Sequence, residues 1–78
     1  MPYQQRLRAL RKSHNLTQHE VAQILHLSTT QYRKYENNQC VIPSHHLITL
    51  ADYYGVSIEY ILCRSPFPDF PPRIKKFL

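Results

Sequence analysis

Residues 16–37, LTQHEVAQILHLSTTQYRKYEN, constrain this chain more than any other stretch. Two helix-start signals lie within it. Thr17 is followed three residues on by Glu20, and Ser28 three residues on by Gln31. In such a pairing the first hydroxyl accepts a backbone N–H, and the acid or amide reaches back to the cap N–H. Between the two signals Val21, Ala22, Ile24 and Leu25 recur at helical spacing, and His26-Leu27 makes the break. The pattern predicts two short helices joined by a tight turn. The second turns Leu27, Tyr32 and Tyr35 inward and leaves Thr29, Thr30, Arg33, Lys34 and Asn37 outside.

A short helix that shows hydroxyls, amides and cations, braced by an apolar partner, is what the major groove of DNA admits. Thr29 and Arg33 are four residues apart, as are Thr30 and Lys34, so the four project together. Arginine can read guanine bidentately, and a threonine methyl can meet a thymine methyl. The plainer alternative is a solvated outer face, the norm for surface helices. The paired-helix context favours the groove.

The rest of the body is also helical in pattern. Leu7, Leu10 and His14 share a face, with Tyr3 one turn earlier, and Asn15 can end that helix in the left-handed conformation. Asn37-Asn38 ends the third helix in the same way. Pro43 suits the first turn of a fourth helix carrying Leu47, Ile48, Leu50, Ala51 and Tyr54. Gly55 sits where that helix should stop. Ile58, Ile61 and Leu62 make a short fifth helix amphipathic. Hairpin dipeptides and sustained period-two alternation are missing. The expected fold is all-α, with five helices in one domain over residues 1–63 and a Pro-rich, basic tail over 64–78.

Charge agrees with an acidic partner. The 78 residues carry a formal +5, and the pI is near 9.5. Arg6, Arg8, Arg11 and Lys12 fall on the first helix, Arg33 and Lys34 on the third, and Arg64, Arg73, Lys75 and Lys76 in the tail. No apolar run reaches membrane-spanning length and no secretory leader is visible, so a cytoplasmic protein with free Cys40 and Cys63 is expected.

Catalysis and metal binding find no support. His19-Glu20 begins like a zinc motif, but position 23 is Gln rather than His. His45 and His46 are adjacent, and adjacent helix positions diverge. A single glycine allows neither a P-loop nor a dinucleotide fingerprint. No enzyme activity, metal, cofactor, membrane or small-molecule ligand is expected. In the tail, Phe67 and Phe70 alternate with prolines, so the segment is expected to be extended there and to dock on its own domain or across a dimer.

Three blocks in order, LRALRKSHNLTQHEVA, ILHLSTTQYRKYEN and IPSHHLITLADYYGVSIEYIL, resemble the phage Cro and repressor type of helix-turn-helix family, the xenobiotic-response-element-like small regulators of Gram-positive bacteria. The resemblance implies a lambda-repressor-like, five-helix domain. It also implies a regulator of transcription, expected to be a repressor, that binds a pseudo-palindromic operator as a homodimer. By this resemblance Gln18 bonds a backbone phosphate and supports the reading helix. Thr29, Thr30, Arg33 and Lys34 face bases or adjacent phosphates. Asn37 and Asn38 stand where backbone amides meet phosphate, and Arg11 and Glu36 pair to lock the first helix to the third. The fifth helix, with Ile58, Ile61 and Leu62, is more apolar than one buried face in so small a domain requires, so these three are expected to be the dimer contact, in agreement with the resemblance; core packing alone is the alternative. Arg11, four residues after inward Leu7, independently calls for such a partner. The resemblance also brings departures. Relatives usually have glycine at Asn15, His26, Asn38 and Cys63, and a basic residue at Cys40. His26 and Cys40 motivate the alternative, a protein-interaction module of the same shape that does not bind DNA.

Overall fold

The computed structural model describes residues 2–66, so the expectations for the tail from Phe67 onward lie outside the described residues. Five helices follow one another: α1 (Tyr3–Ser13), α2 (Gln18–Ile24), α3 (Thr29–Glu36), α4 (Ser44–Tyr54) and α5 (Ile58–Ile61). No strand occurs among the described residues. The fold is all-α, as the periodicity predicts.

The helix starts are written in hydroxyls. Thr17 Oγ1 accepts from the Glu20 N–H at 3.1 Å, and Glu20 Oε1 accepts from the Thr17 N–H at 2.9 Å, a complete capping box. Ser28 Oγ accepts from the Gln31 N–H at 3.1 Å, but Gln31 makes no return bond, so only half of the second box forms. Ser57, buried, caps α5 by accepting from the Tyr60 N–H at 3.1 Å. Pro43 sits one position ahead of the first turn of α4 and serves as its N-cap.

All five helices end alike. The N–H groups of Leu16, Leu27, Gln39, Val56 and Arg64 reach back to the carbonyls of Arg11, Ala22, Lys34, Ala51 and Glu59 at 2.8–3.0 Å. The residue before each of these lies in the left-handed region: Asn15 at φ 57°, His26 at 58°, Asn38 at 59°, Gly55 at 68° and Cys63 at 62°. These are Schellman closures, which satisfy the last free carbonyls of a helix. Only one of the five uses glycine. Leu16, Leu27 and Val56, just past the closures, turn back onto the core.

Tyr32 is the largest fully buried side chain, joined in the core by Leu7, Leu50, Ile61 and Val21. Removing an aliphatic or aromatic side chain of this size from water contributes about 1.5–3 kcal/mol. α3 packs against both α2 and α1, while α4 packs on α5 and α5 returns to α1. The reading-helix candidate is thus held from two sides at its inner face.

Two apolar positions depart from expectation. Ile61, assigned above to a dimer contact, is 0% exposed within a single chain and cannot reach a partner. α5 is one turn long, so Ile58, Ile61 and Leu62 share a stripe; Ile61 is wholly absorbed by the core, while Ile58 and Leu62 are only half-buried against it. On α4, Ile48 is 50% exposed although its spacing fits the inner face, and Tyr54 is buried while neighbouring Tyr53 is not.

Candidate nucleic-acid interface

α3 presents Thr30, Arg33 and Lys34 to solvent and keeps Tyr32, Tyr35 and Glu36 inside. Thr29 is half-buried at its start, and Asn37 and Asn38 are exposed at its end. One polar, cationic face is therefore open along the helix.

Beneath that face lies a buried ion pair. Arg11 Nε donates to Glu36 Oε2 at 2.8 Å, and a terminal nitrogen of Arg11 donates to Glu36 Oε1 at 3.2 Å. The Glu36 side chain has no exposure and that of Arg11 has 12%. The other terminal nitrogen of Arg11 donates to the Leu16 carbonyl at 3.0 Å. Burial pushes the Glu36 carboxyl up, but bonds from Arg11 and Gln18 prevail and hold it below the usual carboxylate range. The bond to Glu36 raises Arg11 further, against the effect of its burial. The Tyr32 hydroxyl is enclosed beside the same carboxylate; burial, then its interaction with Glu36, pushes it far above the usual phenol range.

Gln18 joins this pair to the open face. Its Nε2 donates to Glu36 Oε1 at 3.2 Å, and its Oε1 accepts from Arg33 Nε at 3.2 Å. Arg33 is thus held at Nε, a bond that does not use its terminal nitrogens, the bidentate fork. On the same side His19 Nδ1 lies 2.9 Å from Thr29 Oγ1.

The end of α3 differs from what the resemblance implies. The backbone N–H groups of Asn37 and Asn38 already bond the carbonyls of Arg33 and Tyr35 at 3.0 and 3.3 Å, so neither is available to a phosphate. Their side-chain amides are. Arg8 donates to Asn37 Oδ1 at 3.4 Å and Gln4 Nε2 donates to Asn38 Oδ1 at 2.8 Å, bonds that use the amide oxygens and not the Nδ2 donors. Arg8 also stands 3.6 Å from Glu36 Oε1. Pro2, Gln4, Arg8, Asn37 and Asn38 line an open recess here.

Sequence reasoning missed Gln4, Arg8 and His19. Gln4 and Arg8 lie one turn apart on α1, a spacing that puts them on one side of the helix, but nothing local names the end of α3 as their neighbour. The histidine pair also behaves unexpectedly. His45 and His46 rings approach to 4.0 Å in the first turn of α4, and burial, then His45, hold His46 below the usual histidine range.

No helix among the described residues is long and apolar enough to cross a membrane. Over 74 residues, 95% of this chain, the sequence is 38% identical to YobD of Bacillus subtilis strain 168, described as an uncharacterized HTH-type transcriptional regulator. The chain spans 64% of that relative's length. No solved structure matches it with significance. Residues 4–64, a span that holds the turn, the open face of α3 and the ion pair beneath it, match the family described as Helix-turn-helix domain, and the chain belongs to that family.

Proposed function

We propose that this protein is a sequence-specific DNA-binding regulator of transcription. It acts as a homodimeric repressor on a pseudo-palindromic operator and works in the cytoplasm. The observation that carries this reading is the exposed face of α3, with Thr30, Arg33 and Lys34 open to solvent above a buried Arg11–Glu36 pair. Thr30, Arg33 and Lys34 stay outside the core, and Gln18 ties Arg33 to the buried pair below. Family membership and the regulator name borne by the Bacillus relative support the same reading.

Two subunits would set two α3 helices in successive major grooves, with half-site centres about 10 bp apart. Ile58 on α5 and Leu62 just past its end, both half-buried, are the dimer contacts in this reading. Gln18, Asn37 and Asn38 offer side-chain amides to phosphates, and Thr29, Thr30, Arg33 and Lys34 meet bases or the flanking backbone. Bound at a promoter, the dimer excludes polymerase.

The interaction-module alternative rested on His26 and Cys40. His26 adopts the left-handed turn with both closure bonds in place, so its presence costs strain and leaves the shape of the motif unchanged. The deciding experiment is a gel-shift titration of Arg33→Ala/Lys34→Ala against wild type. The double variant is expected to fold and to lose operator binding. Equal binding by the two proteins would remove α3 as the reading helix.

A further inference from the structure

Thr29 is the first residue of α3, and the N-terminal residues of a reading helix are those that reach base edges. Its hydroxyl does not stand free. Oγ1 lies 2.9 Å from Nδ1 of His19 on α2. Thr30, the next residue, is exposed and has no comparable side-chain partner among the described residues.

A threonine hydroxyl offers one proton and two lone pairs. The direction of that proton decides which base edge Thr29 can satisfy. His19 is exposed, and its second ring nitrogen, Nε2, is turned from Thr29. A phosphate oxygen, which only accepts, would favour the ring proton on the nitrogen that faces it. In the tautomer that carries the proton on Nε2, Nδ1 is a bare acceptor. Thr29 then gives its proton to Nδ1, and only lone pairs face the groove. The major-groove donors that match lone pairs are the amino groups of adenine N6 and cytosine N4.

We propose that His19 is a positioning residue for base readout: by taking the Thr29 hydroxyl proton, it makes Thr29 an acceptor selective for adenine or cytosine at one operator position. The proposal rests on the DNA-binding reading above. It assigns to α2 a part in specificity that is separate from the Gln18 anchor of Arg33.

The test selects binding sites from random duplex at about pH 8, using the wild-type chain, His19→Ala and Thr29→Val. Affinities are then measured on four duplexes that differ only at the position Thr29→Val alters. Valine replaces the hydroxyl by a methyl and is expected to shift that position toward thymine. There the wild type is expected to prefer adenine or cytosine by about 3- to 10-fold, and His19→Ala to reduce this to within about twofold with every other position unchanged. Three results overturn the proposal: a wild-type preference for guanine or thymine there, no position altered by Thr29→Val, or a His19→Ala protein that keeps the wild-type preference. A His19→Ala protein that is uniformly weaker but equally selective belongs to the last case and marks His19 as a phosphate contact. If the wild type enriches no sequence, the DNA-binding reading fails and the proposal falls with it.

Discussion

The side-chain amide of Gln18 couples Arg33 to Glu36, accepting from one and donating to the other at 3.2 Å each. An exposed cation on α3 is thereby tied to a carboxylate with no exposure. Gln18→Ala removes both bonds. It leaves Glu36 short of one donor, at a cost of about 1–3 kcal/mol, and frees an arginine with up to about 2 kcal/mol of rotamer entropy to lose on binding. Urea denaturation and anisotropy titration should therefore show both a lower midpoint and a weaker complex. The affinity loss is expected to persist under conditions where the variant is fully folded.

Glu36 is the anion that holds α1 to α3. Breaking one side of a buried pair costs about 3–5 kcal/mol, a large part of the roughly 5–15 kcal/mol available to a small domain. Glu36→Ala is expected to lower the urea midpoint sharply or leave the chain unfolded at 37 °C, as circular dichroism would report.

Acid should act through the same residue. The folded-state pKa of Glu36 lies below its ordinary value of 4.5, so the folded protein binds fewer protons than the unfolded one as pH falls. Its stabilisation is complete above that ordinary value and is lost as pH drops through the folded value. Wild-type stability should fall steeply below about pH 4.5, whereas Glu36→Gln should show a shallower decline over the same range. Equal slopes in the two urea-versus-pH series would contradict this assignment.

His26 holds a left-handed conformation that glycine adopts without steric cost. For other residues that conformation costs about 1–2 kcal/mol, part of which glycine returns through its freer unfolded state. His26→Gly is expected to gain about 1 kcal/mol net, which raises Tm by about 4–8 °C in a domain of this length. Calorimetry would measure it, and a lower Tm would mean that the imidazole makes a contribution that its geometry does not reveal.

The Tyr54 hydroxyl is buried without a hydrogen-bond partner, and burial, then the Glu36 charge, push it above the usual phenol range. Keeping such a group dry is unfavourable. Tyr54→Phe should be neutral or stabilising by up to about 1 kcal/mol in urea denaturation, with the core intact.

The parts of the fold that were legible in the sequence are those governed by neighbours within one helical turn. Thr17 and Glu20 spell out a capping box three residues apart, and both bonds form. Asn15, Asn38 and Gly55 announce helix ends because few residues tolerate positive φ. Arg11 called for an anion by its place on an apolar face. What stayed illegible depends on separations that no local pattern encodes. Gln4 meets Asn38 across 34 residues, and His19 meets Thr29 across 10. The place of Ile61 in the core is equally illegible, because an apolar stripe on a single turn looks the same whether the core or a second subunit covers it.

The bond from Gln4 to Asn38 fixes the start of α1 beside the end of α3, and Pro2 lines the recess they share. In the DNA-binding reading proposed above, that recess borders the surface offered to the duplex. A purification handle fused at this end of the chain is then expected to weaken apparent binding to nucleic acid relative to the bare chain.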